Sequence, residues 1–176
     1  VRILLDACVA LNLEATGEFD AISHALGVMF AMPAKAAEEV LYLIDLVDGE
    51  KTKTLINLSS HVEKETLELL LLSPGAETAT FVDLATKVED GEAQCLALAK
   101  HRRLAFATDD HAALKAAARI GLPAATSTPR LLRNYVDQAG LSQQETGLML
   151  LAVESRARFR PPPGHADFAW WTTRRP

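Results

Sequence analysis

Cysteine is scarce in this chain. Only Cys8 and Cys95 occur among 176 residues, and they share no CxxC spacing. A disulfide scaffold and a zinc-thiolate centre are therefore excluded, and two reduced, buried thiols are expected. Long apolar runs are also missing. A stretch such as Leu69 to Leu72 falls far short of the roughly 20 residues a membrane helix needs. The opening Val1-Arg2-Ile3-Leu4-Leu5 is too short for a secretory leader and is broken by Asp6. These features imply a cytoplasmic protein with no membrane partner. Positive charge is in the minority, with 18 Lys and Arg against 23 Asp and Glu and a net charge of −5. That balance argues against nucleic-acid binding through overall basicity.

What is present is an ordinary globular mixture, 49% hydrophobic and 23% charged, long enough for one domain with a proper core and a short appendage. The charge is uneven. Residues 1–100 carry 7 basic against 17 acidic side chains, and residues 101–176 carry 11 against 6. An acidic front and a basic back fit an acidic site flanked by phosphate-binding arginines.

The hydrophobic pattern alternates short strands with helices. Val1 to Leu5 reads as a buried strand ending at Asp6, and residues 7–27 follow with helical spacing. Pro33 suits the start of a helix running to about Val47, which Asp48-Gly49 ends. Residues 54–58 read as a short strand and 61–72 as a helix. Helices are expected over 78–88 and 91–101, and a second apolar strand over 104–108 that ends at Asp109-Asp110. Helices over 111–120, 129–139 and 142–158 follow, and 160–176 reads as an irregular tail around Pro161-Pro162-Pro163. Such alternation predicts an α/β fold with a short parallel sheet and helices on both faces. Ligands in these sheets collect at the carboxyl ends of strands, where Asp6 and Asp109-Asp110 stand.

Four acidic positions draw attention: Asp6, Glu39, Glu92 and the pair Asp109-Asp110. On a helical wheel centred on Val40, Glu39 borders the apolar face while Glu38 points to solvent. Glu92 lies on the apolar stripe with Leu96 and Ala99, a costly place for a lone carboxylate. Its competing explanation is a first-turn acid at a helix amino terminus. Asp109 and Asp110 have their own competing explanation, a solvated helix cap. Carboxylates sharing one pocket repel one another and call for a cation, and an all-oxygen site selects Mg²⁺ or Mn²⁺ over zinc.

From residue 1 to about 128 the chain resembles the PIN-domain family. Ile3-Leu4-Leu5-Asp6-Ala7-Cys8-Val9 resembles its opening strand motif. Pro33 through Glu39-Val40 resembles its Pro-then-Glu helix. Asp90-Gly91-Glu92-Ala93 through Ala97-Leu98-Ala99 resembles its third motif, and Ala107-Thr108-Asp109-Asp110 its fourth, with Asp110 the better match and Asp109 auxiliary. Glu92 stands where many members carry Asp.

The resemblance implies a three-layer α/β/α PIN-like domain over 1–128, with C-terminal helices and a tail over 129–176. It implies a Mg²⁺- or Mn²⁺-dependent endoribonuclease that leaves a 5′ phosphate. Catalysis falls to Asp6, Glu39, Glu92 and Asp110, and metal binding to Asp6, Glu92 and Asp110 with Asp109. Thr108 and Thr126 are auxiliary positioning residues. Among the basic side chains, Arg102, Arg103 and Arg119 are candidates for the RNA backbone. Many such proteins are homodimeric toxins of VapBC-type pairs, inhibited by a small antitoxin. The alternative is a PIN-like binding module for protein or RNA that has lost its chemistry. The histidines show no metal spacing, and Trp170-Trp171 is expected to pack on the domain.

Overall fold

The computed structural model describes residues 1–38 and 42–175. Six strands are present among them. Four form a parallel sheet: β1 (Arg2–Leu5), β2 (Met29–Pro33), β5 (Leu67–Leu70) and β6 (Ala105–Ala107), in the order β5-β2-β1-β6. The other two, β3 (Tyr42–Val47) and β4 (Glu50–Leu55), form a separate antiparallel hairpin.

Side chains alternate across the parallel sheet, as a two-residue repeat dictates. Leu5, Phe30, Met32 and Ala107 enter one core, and Leu4, Ala31 and Phe106 enter the other. The first core is covered by α1 (Ala7–Ala15), α2 (Phe19–Leu26), α8 (Thr128–Ala139), α9 (Gln143–Ala152) and α10 (Phe168–Arg174). The second is covered by α5 (Ala76–Leu84), α6 (Asp90–Arg102) and α7 (His111–Arg119). The fold is thus a three-layer α/β/α domain. The short α3 (Ala34–Ala37) and α4 (Ser59–Glu63) are the remaining α-helices among the described residues, and a π-helical turn, Val153–Ala157, continues α9.

The structure corrects several expectations. The helix expected up to Val47 ends at Ala37, and Tyr42–Val47 is a strand. Asp48-Gly49, expected to stop that helix, is a two-residue hairpin turn with φ of 53° and 83°. Positive φ at both positions is the backbone an Asp-Gly pair adopts when it joins twisted antiparallel strands. The helix expected over 61–72 stops at Glu63, and the leucine-rich run after it becomes edge strand β5. Pairing with β2 overrides the helical preference of leucine there. Strand β2 itself was hidden by Pro33, which closes the strand and precedes α3.

The tail is not irregular throughout, because Phe168–Arg174 is helical and Trp171 is fully buried. Nor does the core stop at residue 128. Leu131, Leu132, Val136, Leu150, Val153 and Trp171 share one core with Leu5 and Val9. The C-terminal residues therefore complete a layer of the domain. Cys95 is buried as expected, whereas Cys8 is exposed.

Candidate functional site

The chain runs from β1 outward through β2 to β5 and later returns to lay β6 on the opposite side of β1. Loops from β1 and β6 consequently diverge to opposite faces, and the crevice at their carboxyl ends is the usual binding place in such sheets. Register brings the acids there. Leu5 is opposite Ala107, so Asp6 and Thr108 leave the sheet together.

Asp6 is 3% exposed and caps α1, its Oδ1 accepting from the Val9 amide at 2.7 Å. Its Oδ2 is buried and has no hydrogen-bond partner among the described residues. Burial pushes the carboxyl up to about 6, with Asp109 and Asp110 adding repulsion and the Thr108 hydroxyl and Val9 amide opposing. Asp110 caps α7 by accepting from the Ala113 amide at 2.8 Å, and its own amide donates to Thr108 Oγ1 at 3.1 Å. It is both the helix cap and a member of the acidic group.

Glu92 sits in the first turn of α6 and shares a small pocket with Asp110, Lys87 and Glu89. Burial raises it to about 7, followed by repulsion from Asp110; the Glu89 contact opposes, and Asp6 adds more. The first-turn explanation is right about position. The carboxyl nevertheless lies among other carboxylates in a partly desolvated setting, which raises it.

Asp109 plays a different part. Its Oδ1 accepts from the Thr128 amide at 3.0 Å and its Oδ2 from Asn12 Nδ2 at 3.3 Å. Asn12 also donates to Thr128 Oγ1 at 3.1 Å. Asp109 therefore ties α1 and the start of α8 to the end of β6. Asn12 escaped sequence reasoning; its only signal was a polar residue between Leu11 and Leu13 on a buried helix. Cys8 escaped as well. Although the residue is exposed, its thiol is pushed up to about 12 by the protein packed around the sulfur, then by Asp6, Glu92, Asp109 and Asp110, which marks it as a neighbour of the group. Thr126 extends the sheet beyond β6, donating its amide to Phe106 and accepting from the Thr108 amide.

The expected second acid, Glu39, lies outside the described residues. Its neighbour Glu38 is exposed and pairs with Lys35 at 3.5 Å. The basic candidates lie elsewhere. Arg102 and Arg103 stand at the carboxyl end of α6, a rise of about 15 Å from Glu92. Arg102 is engaged by both oxygens of Glu77 and by the Leu71 carbonyl. Arg119 is at the far end of α7 from Asp110. The structure therefore does not bring these three arginines to the acids.

The donors fit a hard divalent cation in kind. They are all carboxylate oxygens, with an orphaned Asp6 Oδ2 and a mutual repulsion that a cation relieves. Among the described residues, no three His, Cys, Asp or Glu side chains converge as a ready ligand cluster. Mg²⁺ commonly takes one or two carboxylates and keeps its remaining waters, so Asp6 with Asp110 or Glu92 is the set to consider. No helix among the described residues is long and apolar enough to cross a membrane. Compared with known proteins, the chain matches no family model, no curated protein and no solved structure.

Proposed function

We propose that the protein is a Mg²⁺- or Mn²⁺-dependent endoribonuclease of the PIN-domain kind. The observation that carries the reading is that Asp6 and Asp110 stand at the ends of the adjacent strands β1 and β6, with Glu92 sharing a pocket with Asp110. Two of these carboxyls are held well above their ordinary range, and none of the three forms an ion pair with a described basic residue.

Asp6 and Asp110 or Glu92 would hold the cation, which when bound supplies charge neutralisation and a nucleophile at neutral pH. Glu92, beside Asp110 in the same pocket, is the carboxylate placed to accept a proton from an attacking water when it does not itself hold the cation. The Thr108 hydroxyl accepts from the Asp110 amide and so fixes the backbone from which that carboxylate projects. Asp109 holds α1 and α8 in place around them.

The proposal extends to a homodimer and to a small antitoxin-like protein that places a basic side chain among the acids, in the cytoplasm. An inactive PIN-like module is favoured by one observation, the lack of a three-ligand cluster among the described residues. A cleavage assay separates the two. Single-stranded RNA incubated with Mn²⁺ is expected to yield 5′-phosphorylated products. Asp6→Asn and Glu92→Gln are each expected to slow this by about two orders of magnitude or more. No metal-dependent cleavage of structured or single-stranded RNA by the wild type would leave the binding module standing.

A further inference from the structure

Resting on the ribonuclease reading for the polymer involved, we infer that a pocket beside the acids binds one unpaired nucleobase. The pocket has a volume of about 690 Å³, within the size range of small-molecule sites. Its floor is the end of β6, Thr108 and Asp109, so it adjoins the crevice where Asp110 turns the other way toward Glu92. Its roof is the C-terminal strap that runs from Phe159 to Asp167.

The strap is anchored. Asp167 is 1% exposed and pairs with Arg130 at 2.9 Å and Arg133 at 3.0 Å, both from α8. His165 Nε2 meets Ser127 Oγ at 3.1 Å, and the Asp167 amide donates to His165 Nδ1. The pocket is thus built by contacts that tie the chain's last segment to the strand ends.

Its lining selects the ligand class. Phe159, Pro162 and Leu114 offer apolar surface for a flat ring. Thr126 and His111 offer groups that both donate and accept, and Ser127, whose oxygen already accepts from His165 and the Arg130 amide, keeps its hydroxyl proton to donate, as the mixed edge of a base requires. The carboxylate of Asp109 in the floor opposes an anion at depth, so phosphate belongs at the rim. There Arg130, 45% exposed, keeps N–H groups beyond the one given to Asp167. A base in this pocket must be out of its stack, so the substrate is single-stranded or locally opened.

The test follows backbone amide NMR shifts of the full chain during titration with the four nucleoside 5′-monophosphates, and with adenosine and uridine. Saturable shifts centred on Leu114, Thr126 and Ser127 are expected, with or without Mg²⁺. Phe159→Ala should weaken binding by about 10-fold, the scale of one lost base–aromatic contact. Phe159 also meets Trp171 edge-on, so Ala124→Trp provides a second variant. It fills the pocket from an exposed position, and should lose binding while unfolding at the wild-type temperature. No saturable shift with any of the six ligands, or undiminished binding in a folded Ala124→Trp, overturns the inference. Binding by a wild type that cleaves no RNA keeps the pocket and removes the nuclease reading. RNA cleavage without monomer binding does the reverse.

Discussion

The backbone amide of Asp6 donates to the Ala107 carbonyl at 3.2 Å, one step beyond the last register pair of β1 and β6. The sheet itself therefore sets where this carboxylate sits. Asparagine caps a helix as well as aspartate does, so Asp6→Asn changes charge and leaves position alone. Without metal the variant is expected to unfold at the wild-type temperature near pH 5, where Asp6 is largely protonated, and above it at neutral pH. Adding Mn²⁺ should stabilise the wild type alone, by about 3 kcal/mol at a hundredfold excess over Kd. Equal stabilisation of both proteins in a thermal melt would take the cation away from Asp6.

The raised carboxyls fix a direction for the pH dependence. Asp6 stands at about 6 against an ordinary 3.8, and Glu92 at about 7 against 4.5. The folded protein holds these protons more tightly than the unfolded chain. Their stabilising contribution is complete below about pH 4 and is lost as pH rises through 6 and 7. For Asp6 the linked energy is on the order of 3 kcal/mol; half-buried Glu92 contributes less because solvent screens it. Urea unfolding at about pH 5 and about pH 8 should show Asp6→Asn gaining on the wild type at the higher pH. A constant difference between the two would contradict a buried, unpaired carboxylate.

Removing Asp109 should cost stability more than its neighbour's removal costs the fold. Asp109→Ala strands the buried Thr128 amide and one Asn12 contact, a loss of about 1–3 kcal/mol. Asp109→Asn, which keeps an acceptor, should lose less. Chemical denaturation of the pair reads this directly, and an Asp109→Ala variant as stable as the wild type would make the network ornamental.

Asp167→Asn should loosen the strap. Two arginines lose their common carboxylate, while Trp171 keeps its burial and its bond to Glu154 at 2.8 Å. Limited trypsin digestion is expected to cut faster after Arg158, with little change in the overall melt. Cleavage at the wild-type rate would mean that Trp171 alone holds the segment.

The sequence showed strands β1 and β6 and their acids because each ends an apolar run with a carboxylate. Glu92 was legible from helical spacing, and its unusual ionisation agrees with the cost expected on an apolar stripe. Asp109 was legible as a residue but not as a brace, because its partners Asn12 and Thr128 lie far off in sequence. Arg102 looked available for a phosphate. Its partner Glu77 is 25 residues earlier, and no local spacing announces that pair. The β3–β4 hairpin was missed because Leu43, Ile44 and Val47 satisfy a helical repeat as well as a strand. The turn chemistry of Asp48-Gly49 was the better guide. The strap over the strand ends had no sequence signal beyond its prolines and tryptophans.

Trp171 fills the same interior as Leu5, yet 165 residues of chain separate them. During synthesis β1 waits for 165 further residues before that interior can close. A nascent chain halted after α7 would present a bare apolar sheet face to the cell, inviting chaperones or self-association. Shortened versions meant to isolate a minimal catalytic unit at residue 128 would inherit the same exposed face permanently.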